Sequence, residues 1–255
     1  MSEAAVSSVD DWDKHWSDYS DAVEHNPAQD FRRRLVISLL ERSGQPRRLL
    51  DVGSGTGDLM AVARTCWPQA ELVGAEISKG GVRISREKVP SAEFHVVDLL
   101  DGSPPPAGRE HWATHAVCSE VLEHVDDPTG LLVNARAWLA PGCHLVVTVP
   151  GGPMSAFDRH IGHRRHFTPV DLAAILGRAG YDVELCGGAG FPFFNLYRSA
   201  VIARGDRLIT DVSSEQQQSL GLGARLTMTA FGALFRLNLP VGAHGWQTVA
   251  VARLP

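Results

Sequence analysis

Residues 49–59 read LLDVGSGTGDL, and the reading of this stretch decides the fold. A short apolar run ends in the turn, Asp51 stands two residues before the first of three alternating glycines (Gly53, Gly55, Gly57), and LMAVARTCW resumes as a helix. A strand that turns through glycines into a helix opens a βαβ unit. The glycines let the backbone turn tightly and approach a ligand without Cβ interference. Their spacing is G-x-G-x-G, whereas a dinucleotide loop favours G-x-G-x-x-G with its pyrophosphate on the helix N-terminus. An acid just ahead of the loop suits a ligand whose nearby groups are cationic, not a phosphate.

The same alternation extends outward in both directions. Upstream, FRRRLVISLLERSG carries Phe31, Leu35 and Leu39 at helical spacing and stops at Gly44. Downstream, AELVGAE, AEFHVVDL, THAVCSE and CHLVVTVP are apolar strands. Helices over 82–88 and over LLVNARAWL lie between them, the second expected to close at Pro141-Gly142. FTPVDLAAILGRAG is a marked helix, with Thr168 as N-cap, Pro169 at the first position, Asp171 near the first-turn donors and Gly180 at the end. YDVELC and GWQTVAVARLP supply a sixth and a seventh strand. The expectation is an α/β fold, a parallel sheet with helices on both faces, whose ligand sits at the C-terminal strand ends near the topological switch point.

Between the last two strands, 187–244 breaks the rhythm with two apolar, helix-like pieces around DVSSEQQQS. The reading is a helical lid over an acceptor pocket, walled by Phe191, Phe193, Phe194, Tyr197 and Phe231, which suits an acceptor with hydrophobic surface. Two alternatives stand beside it: these aromatics build the lid's own core, or the lid rests on a membrane or a neighbouring subunit. The expected organisation is an N-terminal helical cover (1–30), a core (31–186 and 245–255) and the lid insertion (187–244).

Across 255 residues, 44% are hydrophobic and 21% charged, which allows a real core. The net charge of −5 argues against a phosphate backbone as main partner. Cys66, Cys118, Cys143 and Cys186 form no C-x-x-C pair and read as reduced thiols. The N-terminal stretch lacks a signal-peptide pattern, and no apolar run reaches the ~18 residues of a spanning helix. The expectation is a cytoplasmic monomer or homodimer acting on a small-molecule acceptor, with no nucleic acid and no transmembrane segment.

Two more acids follow the glycine loop. Glu76 ends the second strand, where a carboxylate can accept both hydroxyls of a ribose, and Asp98 ends the third, in reach of an adenine amino group. Together with AELVGAEIS, AEFHVVDLL, HAVCSEVLEHVDDP and LAPGCHLVVTVP, the loop strongly resembles class I S-adenosylmethionine-dependent methyltransferases of the type 11/12 kind, over about residues 35–150. The resemblance implies a Rossmann-like seven-stranded sheet with an antiparallel last strand, S-adenosylmethionine as methyl donor and S-adenosylhomocysteine as product. It also implies residue roles. Asp51, Gly53, Ser54, Gly55 and Gly57 border the methionine part. Glu76 takes the ribose and Asp98 the adenine, Ser119 and Glu120 border the cofactor, and Ile77 and Leu99 are further cofactor-binding positions. An N-terminal aromatic helix often covers the cofactor in such proteins; DWDKHWSDYS looks similar, and Tyr19 is the residue chosen from it. Simple packing by Trp12 and Trp16 is the competing reading.

Past the fourth strand, SEVLEHVDDP holds Glu120, Glu123 and His124. In a helix, Glu120 and His124 would share one face. E-x-x-E-H is similar to a box in ubiquinone-pathway O-methyltransferases and small-RNA 2′-O-methyltransferases, where it binds a divalent metal with a histidine from the loop after strand five. The same box also occurs in metal-free methyltransferases, and no metal is assigned here.

RHIGHRRHF (159–167) leaves strand five at the ligand-bearing edge. Gly162 and the cap at Thr168 argue for a loop over a helical stripe of His160, His163 and His166, with at most two of the three pointing inward. His163 is the expected general base, with His124 and Glu120 as further catalytic candidates; such help is typically worth ~10²–10⁴-fold. Arg159, Arg164 and Arg165 are expected either to orient an anionic acceptor or to be solvated. The expected reaction is methyl transfer to a small, partly apolar acceptor, oxygen favoured over nitrogen. An RNA 2′-O-methyltransferase-like enzyme with a divalent metal is the alternative.

Overall fold

The computed structural model describes residues 12–13, 26–205 and 222–255. In chain order its elements are α1 (Pro27–Arg42), β1 (Arg48–Val52), α2 (Asp58–Cys66), β2 (Glu71–Glu76), α3 (Lys79–Lys88), β3 (Glu93–Val96) and β4 (Ala113–Ser119). There follow α4 (Pro128–Ala135), β5 (Leu139–Pro150), α5 (Ala156–His160), α6 (Pro169–Arg178), β6 (Asp182–Ala189), α7 (Phe193–Arg204), α8 (Leu222–Leu234) and β7 (Gln247–Arg253). One seven-stranded sheet runs in the order β3-β2-β1-β4-β5-β7-β6. Strands β1 to β5 pair in parallel, and β7 is antiparallel to both β5 and β6. The order reverses between β1 and β4, so a crevice opens at their C-terminal ends.

Helices cover both faces, which is why the central strands are mainly apolar: Leu49, Leu50, Val117, Val146 and Val147 have no exposure. One core packs around Trp138 beneath α4 and α6, and the other around Leu40, Met60 and Phe94 beneath α1 to α3. Local chemistry sets the helix starts. Asn26 caps α1 through Ala28 N, and Thr168 and Asp171 form a reciprocal capping box on α6, with Pro169 in its first turn. That cap matches the sequence reading.

Three expectations need correction. Pro141-Gly142 does not close a helix: α4 ends at Ala135, a 3-10 turn covers Arg136–Trp138, and β5 already starts at Leu139. The proline and glycine fall at a register shift against β4, and Gly142 N donates instead to Leu254 O at 2.9 Å. Strand β6 runs to Ala189, past the expected start of the insertion at 187. Helix α1 starts at Pro27, inside the expected 1–30 cover. Of the readings open for the lid aromatics, packing into a core is the one the contacts match: they lie mostly on one another and on α1. Phe194 is 1% exposed, with Phe31 at 4.9 Å and Phe235 at 5.6 Å between ring centroids, and Tyr197 meets Phe231 at 5.4 Å. Phe193 is half-buried beside this core, and Phe191 alone of the five is exposed.

Candidate active site

The glycine loop folds back on β2. Gly53 N and Ser54 N both donate to Ala75 O, at 2.8 and 3.2 Å. Gly53 has φ +73, and a Cβ there would lie 2.5 Å from Val121 Cγ2, so both conformation and space require glycine. Glu76 closes the loop from below: one carboxylate oxygen accepts from Gly55 N (2.8 Å), the other from Ser78 N (2.9 Å). Burial pushes the Glu76 carboxyl up, against the pull of these amides. Asp51 is buried at the end of β1, and desolvation together with the charge of Glu76 pushes it up to about 7. Two buried acids beside a cradle of backbone amides fit a ligand with a cationic end and hydroxyl donors.

The remaining cofactor candidates divide. Asp98 is half-buried after β3, and its Oδ1 accepts from Leu100 N at 2.8 Å. Ile77 is 45% exposed at the end of β2, an apolar side chain open to a flat ring. Leu99 is instead a core residue, its carbonyl held by Asn134 Nδ2. Ser54 Oγ is buried without a hydrogen-bond partner among the described residues and lies against Gly74. Tyr19 and Trp16 lie outside the described residues. Trp12 is described, and its ring stands edge-on to His124 at 4.8 Å. Asp13 beside it accepts from Ser78 Oγ and Gly80 N, which pins this part of the N-terminal stretch to the start of α3.

After β4 the backbone does not form the helix needed to align Glu120 with His124. Glu120 has φ +57, and the turn over Leu122–His124 is 3-10. Its carboxylate is saturated: Oε1 accepts from Gln247 Nε2 (2.8 Å) and Thr148 Oγ1 (3.1 Å), while Oε2 pairs with Arg32 Nε at 3.0 Å. Ser119 Oγ adds a 2.8 Å bond to Thr148. Arg32, Thr148 and Gln247 were missed in the sequence because Gln247 lies 215 positions from Arg32 and no spacing links them.

Glu123 is different. It has no exposure, neither oxygen has a hydrogen-bond partner among the described residues, and burial, then the charge of Glu120, holds its carboxyl well above the usual range. His124 Nε2 and His163 Nε2 approach Oε1 at 3.9 and 4.0 Å. These three residues offer ligand atoms within 4.8 Å of one another, and so does a second trio, Asp158, His163 and His166. Burial, and then His124, bring His163 down to about 3, so the ring is neutral at ordinary pH.

The histidine stretch is half loop. His160 is exposed at the end of α5, while the side chains of His163 and His166 turn inward with 8% and 7% exposure. Helix α5 begins at a capping box of Ser155 and Asp158, a pattern legible as S-x-x-D but overlooked in the sequence reading. Asp158 also takes both terminal nitrogens of Arg198 from α7, at 3.2 and 2.8 Å. Burial raises the Asp158 carboxyl, but the Arg198 bonds and charge and the Ser155 donors outweigh it and hold the group at about 2. Arg164 and Arg165 are spent on the neighbouring loop, through Asp126 Oδ2 and Asp126 O, and Arg159 bonds Ser155 O.

Residues 24–185, more than half of the chain, match the family described as a methyltransferase domain. The chain belongs to this family. The seven-stranded sheet with its antiparallel last strand is that of the class I S-adenosylmethionine-dependent methyltransferases, and S-adenosylmethionine is the cofactor of this methyltransferase domain. Trans-aconitate 2-methyltransferase of Mycobacterium sp. (strain KMS) is 30% identical over 177 residues, 61% of this chain and 66% of that protein. The protein of the same name from Acidovorax ebreus (strain TPSY) is 29% identical over 47% of this chain and 45% of its own length. The chain therefore spans less than two thirds of these relatives. Among solved structures, the [4+2]-cyclase SpnF superposes with a TM-score of 0.57 at 17% identity, covering 88% of this chain and 81% of that one. Geranyl diphosphate C-methyltransferase from Streptomyces coelicolor A3(2) gives 0.53 at 14% identity, over 86% and 78%. These likenesses show the fold alone; a cyclase on the same fold is a reminder that the reaction is decided at the site.

Proposed function

We propose that the chain transfers a methyl group from S-adenosylmethionine to a small-molecule acceptor, on oxygen in preference to nitrogen. The observation that carries this reading is that the turn packed on the cofactor cradle through Val121 and Gly53 also holds Glu123, beside which lies the neutral imidazole of His163. When bound, S-adenosylmethionine supplies an electrophilic methyl and leaves as S-adenosylhomocysteine. Glu76 would hold the ribose, Asp51 the cationic end, Asp98 and Ile77 the adenine. His163 Nε2 receives the proton that an acceptor hydroxyl loses as its oxygen gains the methyl. The relatives' name, methyl transfer to trans-aconitate, supports an acceptor of small size.

A second reading rests on Glu123. A buried carboxylate without a hydrogen-bond partner, beside two imidazole nitrogens, is a donor set for a divalent cation, with Glu123, His124 and His163 as ligands. Glu120 is outside that set because Arg32, Gln247 and Thr148 occupy it. Such a metal would keep an RNA 2′-O-methyltransferase-like acceptor in play. Among the described residues no helix is long and apolar enough to cross a membrane.

Calorimetry with S-adenosylhomocysteine and with NAD tests the first reading: NAD binding without S-adenosylhomocysteine binding sinks it. Methyl transfer to an acceptor panel, run in chelator and after Mg²⁺ addition, tests the second; full activity in chelator eliminates the metal.

A further inference from the structure

We propose that His166 is a positioning residue that fixes the tautomer of His163 and so leaves the lone pair of His163 on Nε2, the nitrogen beside Glu123. The inference rests on the use of His163 proposed above. The Gly152 carbonyl can only accept, so His166 Nδ1, 3.0 Å away, carries a hydrogen and donates it. In the neutral ring, Nε2 of His166 then holds a lone pair. That lone pair meets His163 Nδ1 at 3.4 Å, a contact that is favourable only if His163 Nδ1 carries the hydrogen. The lone pair of His163 is thereby assigned to Nε2, the nitrogen 4.0 Å from Glu123 Oε1.

Asp158 does not compete for this chain of bonds. Its Oδ2 is 3.7 Å from His166 Nε2, beyond hydrogen-bond reach, and already accepts from Ser155 N, Ser155 Oγ and Arg198. Two acceptors thus face each other there, and among the described residues the hydrogen that His166 Nε2 receives is that of His163. A histidine free in water favours the opposite tautomer, with its hydrogen on Nε2. Without the Gly152–His166 anchor, Nε2 of His163 would present a hydrogen where base or ligand chemistry needs an electron pair.

Nitrogen NMR of the full chain labelled with ¹⁵N-histidine reads the tautomer directly, with the His163 signals assigned by their loss in His163→Gln. The expected result is a protonated Nδ1 and a bare Nε2. His166→Phe should shift His163 toward the Nε2–H form and lower kcat roughly 10–100-fold, the usual effect of losing such a partner. His166→Gln can donate to Gly152 and accept from His163, and should restore both readouts. A wild-type His163 already in the Nε2–H form, or one unmoved by His166→Phe, overturns the proposal; the wild-type spectrum decides even where a variant does not fold. Titration of the same samples with S-adenosylhomocysteine reports separately on the methyltransferase reading.

Discussion

Replacing Glu123 by glutamine should make the protein more stable in the absence of divalent cations. The wild-type carboxyl is fully buried, has no hydrogen-bond donor, and is held well above its ordinary value by burial and then by Glu120. A group whose folded value is raised contributes stability that is complete below the unfolded value, 4.5 here, and lost as pH rises through the folded one. Wild-type stability should therefore be lower at about pH 7 than at about pH 4, and the glutamine variant should lack that slope. Glutamine is also polar but never carries the charge that burial disfavours, so its advantage should grow by up to about 1.4 kcal/mol per pH unit above the unfolded value. Each kcal/mol should appear as about 2–4 °C in Tm. Urea unfolding in chelator at both pH values measures it. Adding Mg²⁺ or Mn²⁺ should stabilise the wild type alone, by about 2.7 kcal/mol at a hundredfold excess over Kd. A variant less stable than wild type in chelator at the upper pH refutes the picture of Glu123 as an acid without a partner.

Glu76→Ala should weaken S-adenosylhomocysteine binding by about 10–100-fold, the worth of charged hydrogen bonds, with circular dichroism unchanged; unaltered affinity removes the cofactor assignment. Because His163 is held at about 3 instead of 6.5, the pH–rate profile should show no acid inflection near 6.5 from this ring. Its neutrality in the fold also means that stability falls as pH drops through that window, since the unfolded ring takes up a proton first. A rate inflection near 6.5 that vanishes in His163→Gln contradicts both statements. Phe194→Ala should cost about 3–5 kcal/mol in urea unfolding, because it empties the aromatic core between α1 and α7; a loss under about 1 kcal/mol shows that the insertion is not docked there.

The parts of this protein that were legible in the sequence are those written in local signals. Strand β1, the glycines and Asp51 lie within a few residues of one another, and the cap Thr168-Pro169 announces α6 by chemistry alone. Glu76 and Asp98 were chosen because parallel strands end at one edge, a rule of topology. Long-range pairing left no such trace. Glu120 looked catalytic beside His124, yet its partner Arg32 lies on α1 and its φ of +57 turns it off any helical face. The lid aromatics read equally well as wall or as core, and only their contacts with Phe31 separate the two.

The clasp of Arg198 on Asp158 limits how this domain can be rebuilt. The guanidinium comes from the insertion and the acid from the stretch that carries the histidines, 40 positions apart. An insertion exchanged for that of a relative would strand a buried acid, at a cost of about 3–5 kcal/mol, unless the newcomer brought an arginine to the same place. The two segments are therefore expected to have changed together, and a chimera with its junctions at Gly190 and Gly245 should express only when Asp158 is neutralised alongside. Selectivity engineered through the insertion alone would carry this coupling as its first obstacle.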